Sequence, residues 1–314
     1  MRTPVLQYPF PAPPKPGLPL KGHTITTDTS LLEHYRRFCA DHACDNAETS
    51  FEFFCVFGGS GLAVDMSLSL EEAIERTILD NYRDLHRDIN AITGGDADAH
   101  ALLAGVALGD RRTHSAYKRA RLSREAGDKA VAAMREAGVI EREKARPNSF
   151  SWIDDDVISD RLHFTSPFLR FWFAFVSPIF RGIKEGDYEE FRTRYANHAA
   201  GFCDVVFERL AMELIRVEFA DDPVAEIGGY WDKNVEIDVI AKTASGRTVA
   251  ASCRYVNAKL KKSELTKLQH SCEKAGFKTD VFVLMAKNGF SGELKSLKGE
   301  NLRLLSLRHF KKLL

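Results

Sequence analysis

Apolar and polar residues alternate along the C-terminal half of the chain with the two-residue period that is typical of strands. Val235–Lys242 and Thr248–Val256 predict two such strands, and the short turn Thr243–Arg247 predicts that they pair antiparallel. Apolar positions at helical spacing predict a long helix within Glu189–Glu218. A further helix and three further strands are predicted at Lys262–Ala275, Ala225–Trp231, Asp280–Ala286 and Leu302–Leu307. Together these elements predict a layered α/β domain with a mixed sheet.

The N-terminal half of the chain shows the wider period of helices. A helix is expected to begin near Ser30, and Ser69–Ala91 predicts one long amphipathic helix with Ser69 as its N-cap. The most apolar stretch, Phe168–Phe180, is too short to span a bilayer, so we expect a buried helix there and no membrane partner. Residues 1–21 hold seven of the eleven prolines and predict an extended arm.

Between these halves, the pattern predicts a helix-turn-helix followed by a wing, over about residues 98–165. The three helices are predicted at Asp98–Leu108, Thr113–Arg119 and Ser123–Ala137, and the two wing strands at Val139–Arg142 and Arg161–Thr165. Basic residues concentrate around the second and third helices and are candidates for nucleic-acid contact: Arg111, Arg112, Lys118, Arg119, Arg121, Arg124 and Lys129. The carboxylates of Glu125 and Asp128 weigh against tight phosphate contact, and a module used only for packing against protein is the alternative.

The net charge of the chain is zero, but its charge is unevenly distributed. Residues 242–314 contain sixteen Lys and Arg against five Asp and Glu, which leaves eleven positive charges. This asymmetry indicates a polyanionic partner such as duplex DNA, whereas a merely solvated basic face is the alternative. The candidate contacts beside the strand pair are Arg254, Lys259, Lys261 and Lys262.

The strand pair also places a particular set of side chains on one face. Because side chains alternate along a strand, Asp238 is expected to face Ser252 and Arg254. Many DNA-cutting enzymes have an acidic residue on the first strand and Glu-x-Lys on the second. The carboxylates of this pattern hold the Mg²⁺ that activates water. Ser252 is a poor Mg²⁺ ligand, and Arg254 cannot act as a base. Additional carboxylates are offered by Glu208 or Glu213 on the preceding helix and by Glu226 or Glu236 on the strands.

The chain from about Gly138 to Phe277 resembles the C-terminal region of the archaeal-type P-loop ATPases. The matching pieces are Gly138–Glu141, Ser166–Phe175, Phe207-Glu208, Gly228–Trp231 and Glu236–Ala241. The resemblance implies an α+β fold in which a winged helix precedes a restriction-endonuclease-like domain. It also implies a metal site of Glu208, Asp238 and a Glu-x-Lys, from which this sequence departs at Ser252 and Arg254. No GxxxxGK[ST] motif occurs in the sequence, so the ATPase domain of that family is not expected within it.

These observations predict three regions and several functions. The regions are an arm over residues 1–21, a helical part over 22–165 and a restriction-endonuclease-like domain over 166–314. The favoured function is DNA binding on a degenerate nuclease scaffold that does not cut, with no cofactor. One alternative is an active Mg²⁺-dependent nuclease, with Glu208 and Asp238 as metal ligands. A second alternative is a protein-interaction module, and a homodimer is left open.

The cysteines bear on the compartment rather than on the site. Six cysteines without a CxxC pair indicate reduced thiols, and no signal-peptide pattern opens the sequence, so a cytoplasmic location is expected. Cys39, His42 and Cys44 lie close in sequence, but no second ligand pair follows at zinc-finger spacing.

Overall fold

The computed structural model describes residues 23–145 and 159–314 of the chain. The predicted arm over residues 1–21 lies outside the described residues, as does the tip of the predicted wing. The described part is mixed α and β, with a helical N-terminal half followed by a five-stranded sheet. This coarse division agrees with the pattern of apolar residues along the sequence.

The chain begins with helices α1 (Leu31–Asp41), α2 (Ala47–Phe57), α3 (Leu70–Ile74) and α4 (Tyr82–Thr93). Ser69 caps α3 as predicted, because its hydroxyl accepts from the backbone N–H of Glu72 at 3.2 Å. The prediction of one continuous helix over Ser69–Ala91 is wrong. A π-helical turn follows α3 over Glu75–Leu79, and Asn81 ends it by donating to two backbone carbonyls at 3.1 Å each.

The next elements are three helices and a strand pair. Helices α5 (Ala97–Ala107), α6 (Thr113–Ala120) and α7 (Arg124–Glu136) precede strand β1 (Ile140–Glu143), which pairs antiparallel with β2 (Arg161–Phe164). This order of elements confirms the order predicted from the sequence. Helix α7 crosses α6 so closely that a Cβ on Gly127 would lie 2.7 Å from the ring of Tyr117.

A buried aromatic segment follows β2 and leads into the second half. It comprises α8 (Pro167–Phe171), a π-helical turn (Trp172–Val176), a 3-10 turn (Ser177–Ile179) and α9 (Phe180–Glu185). Every side chain from Phe168 to Val176 is buried, which confirms the predicted buried stretch over these residues, whereas Phe180 at its end is 42% exposed. Among the described residues, no helix is both long enough and apolar enough to cross a membrane.

Two helices then lead to the sheet: α10 (Glu189–His198) and α11 (Asp204–Glu218). The predicted long helix is therefore confirmed over α11. Phe202 and Val217, which continue the helical spacing of the apolar positions in the sequence, do not belong to its buried face, because Phe202 precedes the helix and Val217 is exposed.

The sheet has the strand order β3 (Val224–Trp231), β4 (Glu236–Thr243), β5 (Thr248–Arg254), β6 (Val281–Ala286) and β7 (Leu302–Ser306). The first three strands pair antiparallel and the last three pair parallel, so the sheet is mixed as predicted. Helix α12 (Lys262–Lys274) joins β5 to β6, and α13 (Gly292–Ser296) joins β6 to β7. A final 3-10 helix spans Leu307–Leu313.

One apolar core joins the N-terminal helices to one face of the sheet. The rings of Phe51 on α2, Phe207 on α11 and Phe310 near the C-terminus lie within 5.3 to 6.0 Å of one another. A second, smaller core lies on the other face of the sheet under α12. The boundary expected at residues 165 and 166 stays a prediction, and the larger core extends across it.

Candidate functional site

The face shared by β4 and β5 carries the acidic residue that the sequence singled out. Val239 pairs with Ala251, so Asp238 and Ser252 lie opposite each other as predicted. One oxygen of Asp238, Oδ2, accepts from the backbone N–H of Cys253 at 2.8 Å and from the hydroxyl of Ser252 at 3.3 Å. Arg254 Nη1 donates to the same oxygen at 2.7 Å. Three donors therefore converge on a single carboxylate oxygen.

Arg254 is the cation of this site. Its guanidinium also lies 3.5 Å from Glu264 of α12, so it bridges two carboxylates. Burial lowers the pKa of Arg254, but the charges of Asp238 and Glu264 outweigh burial and raise it. The guanidinium stays charged and neutralises Asp238 where the nuclease pattern has a lysine and a metal ion.

Glu208 of α11 is the second predicted ligand, and its surroundings are unusual for a carboxylate. Its side chain is 13% exposed, and its Oε2 lies 3.3 Å from Nη2 of Arg111, while Oε1 is buried without a hydrogen-bond partner. Burial raises the pKa of Glu208 to about 7, and the charge of Asp238 adds to this while Arg111 opposes it. Glu208 is thus a carboxyl that holds its proton up to near-neutral pH.

The donor set does not fit a magnesium ion. Within residues 23–145 and 159–314, no group of three or more His, Cys, Asp or Glu side chains is arranged to hold a metal. Glu213 lies instead beside Arg216 at 3.8 Å, in the surface pair that its spacing suggests. His42 accepts from the backbone N–H of Val64 at 3.2 Å with one ring nitrogen, and its other ring nitrogen contacts the carbonyl of Phe38. Its ring is therefore not free to bind a metal with the nearby cysteines.

Two arginines that sequence reasoning did not place here complete the site. Arg161 of β2 is 1% exposed, lies 2.6 Å from Glu236 of β4 and stacks on Trp231, with its guanidinium carbon 4.1 Å from the ring centroid. Arg112 approaches the same Glu236 at 3.6 Å. All four residues of β2 are buried, so Arg161 lies in the interior together with its neighbours in the strand.

A histidine connects this ion-pair network to β1. Nε2 of His163 lies 2.7 Å from Glu143, which also accepts from the backbone N–H of Gly229 at 2.9 Å. Burial opposes ionisation of Glu143, but the hydrogen bond and charge of His163 lower its pKa to about 2. Burial lowers the pKa of His163 to about 4, so at neutral pH the imidazole is neutral and donates through Nε2. Its Nδ1 then accepts from Arg111 at 3.5 Å.

The network borders a small cavity of about 300 Å³. Arg111, Arg161 and Arg170 contribute positive charge to its lining, and Asp204 and Glu236 contribute negative charge. Burial raises the pKa of Asp204. Arg161 of β2 thus pairs with the half-exposed Glu236 of β4, and His163 and Arg111 connect Glu143 of β1 to Glu208 of α11.

The predicted nucleic-acid contacts around α6 and α7 fall into two groups. Arg111 is buried against Glu208, Arg112 is half-buried beside Glu236, and Arg119 pairs with Asp110 at 3.3 Å. The others are exposed in the last turn of α6, on the turn between the helices and in the first half of α7: Lys118, Arg121, Arg124 and Lys129. This exposed set is called the α6–α7 face below.

The predicted contacts beside the strand pair are all exposed apart from Arg254. Lys259 and Lys261 form no ion pair with any residue that the structure describes, and Lys262 lies 3.5 Å from Glu293. They lie in the connection that leads from β5 into α12. The structure therefore does not gather them with Glu208 or with the α6–α7 face through any described contact.

Comparison with known proteins gives one match. A family model described as archaeal and bacterial proteins of unknown function, DUF234, matches residues 172–268, which is about a third of the chain. The matched range includes Glu208, Asp238, Ser252 and Arg254. No curated protein and no solved structure matches the chain.

Proposed function

We propose that this protein binds duplex DNA and does not cut it. The proposed scaffold is a winged helix followed by a restriction-endonuclease-like domain, as in the C-terminal region of the archaeal-type P-loop ATPases. The observation that supports the absence of cleavage is the ion pair between Arg254 and Asp238, at 2.7 Å, where the resemblance would put a metal ion.

The loss of cleavage follows from the chemistry of this ion pair. A magnesium ion needs carboxylate oxygens and water in a near-octahedral arrangement. Oδ2 of Asp238 already accepts from three donors, and Ser252 offers only a hydroxyl in place of a second carboxylate. Arg254 cannot deprotonate at neutral pH, so it cannot take a proton from an attacking water. Hydrolysis of a phosphodiester lacks both its metal and its base at this site.

The binding surface is the α6–α7 face. Lys118, Arg121 and Lys129 are exposed and form no ion pair with any residue within the described ranges. Arg121 ends α6 in the left-handed conformation, with φ of 56°, and so forms the turn between the two helices. The nearby Asp128 accepts from the hydroxyl of Tyr117 at 2.8 Å and lies 3.9 Å from Arg124, whose charge partly offsets the negative charge that opposes phosphate. The first turn of α7 in a major groove would bring these cations to the flanking phosphates.

The binding test is a titration of a duplex with the intact protein at several salt concentrations, read by fluorescence anisotropy. Neutralised phosphates make the logarithm of affinity fall linearly with the logarithm of salt, by about 0.9 per contact. The double variant Lys118→Glu/Arg121→Glu should therefore bind at least about tenfold more weakly, with a slope smaller by about 1.8. A matched control, Arg83→Glu/Lys184→Glu, reverses two exposed charges on α4 and α9 and should bind like the wild type.

Two results would overturn the proposal. The first is no binding of the wild type even at low salt, or an equal loss of affinity in the control variant. The second is cleavage of plasmid DNA with Mg²⁺ or Mn²⁺ that disappears in Asp238→Ala, because it would assign a working metal site. Cleavage that persists in Asp238→Ala would indicate a contaminating nuclease.

A further inference from the structure

A groove of about 1140 Å³ lies between the start of α2 and the C-terminal end of the sheet. Phe290 and Leu304 contribute apolar surface to its lining. Its basic rims come from two separate elements, the turn around α13 and the final 3-10 helix, and consist of Lys295, Lys298, Arg308 and Lys311. These four residues and the surface between them are called the C-terminal groove.

The charge of the C-terminal groove is not balanced from within. Lys287 also lines it, but this lysine is 7% exposed and lies 2.6 Å from Glu48 and 3.1 Å from Glu52. The four rim residues are exposed and form no ion pair with any residue in the described ranges. The lining thus has five Lys and Arg against two carboxylates, Asp45 and Glu48, which leaves three positive charges.

Local geometry keeps the rim cations next to one another. The backbone N–H of Lys298 donates to the carbonyl of Lys295 at 3.2 Å, so one turn presents both lysines. Arg308 and Lys311 are three residues apart in a 3-10 helix, in which side chains at this spacing eclipse. Like charges held together in this way repel, and an anion with several charges in a row relieves the repulsion.

We propose that the C-terminal groove binds the sugar–phosphate backbone of DNA, as a second contact surface in addition to the α6–α7 face. This inference rests on the proposed function. A chain of phosphates fits the groove better than a single small anion, because the four cations stand on two rims and are exposed. Flexible exposed lysines suit a regular row of charges, whereas a small-anion site needs buried, fixed donors.

The test reverses the charge of each rim in the full-length protein. Lys295→Glu/Lys298→Glu and Arg308→Glu/Lys311→Glu are each compared with Lys274→Glu/Lys278→Glu, which changes two exposed lysines of the same region outside the groove. Each rim variant should reduce the salt slope of DNA affinity by about 1.8, at about 0.9 per lost phosphate contact. The control variant should retain the slope of the wild type, and thermal unfolding checks that all three variants are folded.

A second measurement locates the contact directly. Lysines of the wild type are labelled with an amine-reactive reagent, with and without duplex DNA, and quantified by mass spectrometry. Lys295, Lys298 and Lys311 should be protected by DNA, and Lys274 should not. Equal protection by polyglutamate would overturn DNA as the occupant.

The outcomes separate the two proposals. If the wild type binds DNA but the rim variants keep its slope and no rim lysine is protected, the groove is overturned and the α6–α7 face stands. If the wild type does not bind DNA at any salt concentration, both proposals are overturned together.

Discussion

Replacement of Glu208 by Gln tests the electrostatics of the candidate site without reference to any ligand. Glutamine keeps the size of the side chain, replaces one of its two oxygens by an amide NH2 and cannot titrate. The wild-type carboxyl is buried, has one oxygen without a partner and shares the site with Asp238. The substitution therefore removes one titration and leaves the packing of α11 in place.

The expected magnitude follows from the pKa of Glu208, which burial raises from 4.5 to about 7. Between these two pH values the folded protein holds a proton that the unfolded chain releases. The free energy of unfolding of the wild type therefore falls as the pH rises through this window. The contribution of Glu208 to this free energy levels off above about pH 7. Since one pKa unit corresponds to about 1.4 kcal/mol, the loss is about 3 kcal/mol. The free energy of unfolding of Glu208→Gln, relative to wild type, should rise by this amount.

The assay is urea unfolding of both proteins at several pH values from 4.5 to 8, followed by circular dichroism. The difference between the two proteins isolates Glu208, because other groups that titrate in the window, such as His163, contribute to both curves. Glu213→Gln is the matched control: it makes the same substitution on the same helix, in a half-exposed pair with Arg216. The curve of the control should run parallel to that of the wild type. A constant difference between Glu208→Gln and wild type across the window would refute the reasoning.

Four further substitutions, at three positions, test the packing and the hydrogen bonds described above by their effect on urea unfolding. Asp238→Ala should lower the free energy of unfolding by about 1–3 kcal/mol, because it leaves a backbone amide and a guanidinium without their acceptor; an unchanged value would contradict the geometry. Gly127→Ala should destabilise the protein although alanine favours helices by about 1 kcal/mol, because the new methyl group meets the ring of Tyr117; a stabilised variant would count against this contact. Ser69→Ala should cost about 1 kcal/mol and Ser69→Asp much less, since aspartate also caps a helix; equal losses in both would argue against the cap.

The strand pair could be predicted from the sequence in detail. Alternation with a period of two assigns each side chain to a face, and a short turn fixes the register of the two strands. The opposition of Asp238 to Ser252 and Arg254 follows from these two local rules, and the structure confirms it. Helix start and stop signals and the strand pattern identify the elements from α5 to β2 in their correct order.

The arginines of the site could not be predicted, because their partners lie far away in sequence. Arg111 is 97 residues from Glu208, and no local pattern distinguishes an arginine in a buried ion pair from one on a surface. From the sequence Arg111 is therefore a candidate for nucleic-acid contact, whereas in the structure it is buried. Only the packing of β2 and the α5–α6 loop against α11 and β4 determines this arrangement.

The break in the predicted helix over Ser69–Ala91 was hidden for a different reason. Ile74 before the π-helical turn, Ile78 within it, and Leu85 and Ile89 after it are all buried in the same core. The apolar stripe therefore continues through the π-helical turn, and periodicity alone does not reveal the change of backbone geometry.

The buried aromatic segment after β2 decides how the protein has to be handled in the laboratory. Phe168, Phe171, Trp172, Phe173 and Phe175 are each at most 1% exposed, and each such ring removes about 150–250 Å² from solvent. Recombinant fragments that start or stop near residue 166 would expose these aromatic side chains to water and would aggregate. Expression trials, crystallisation and binding assays should all use the uninterrupted polypeptide.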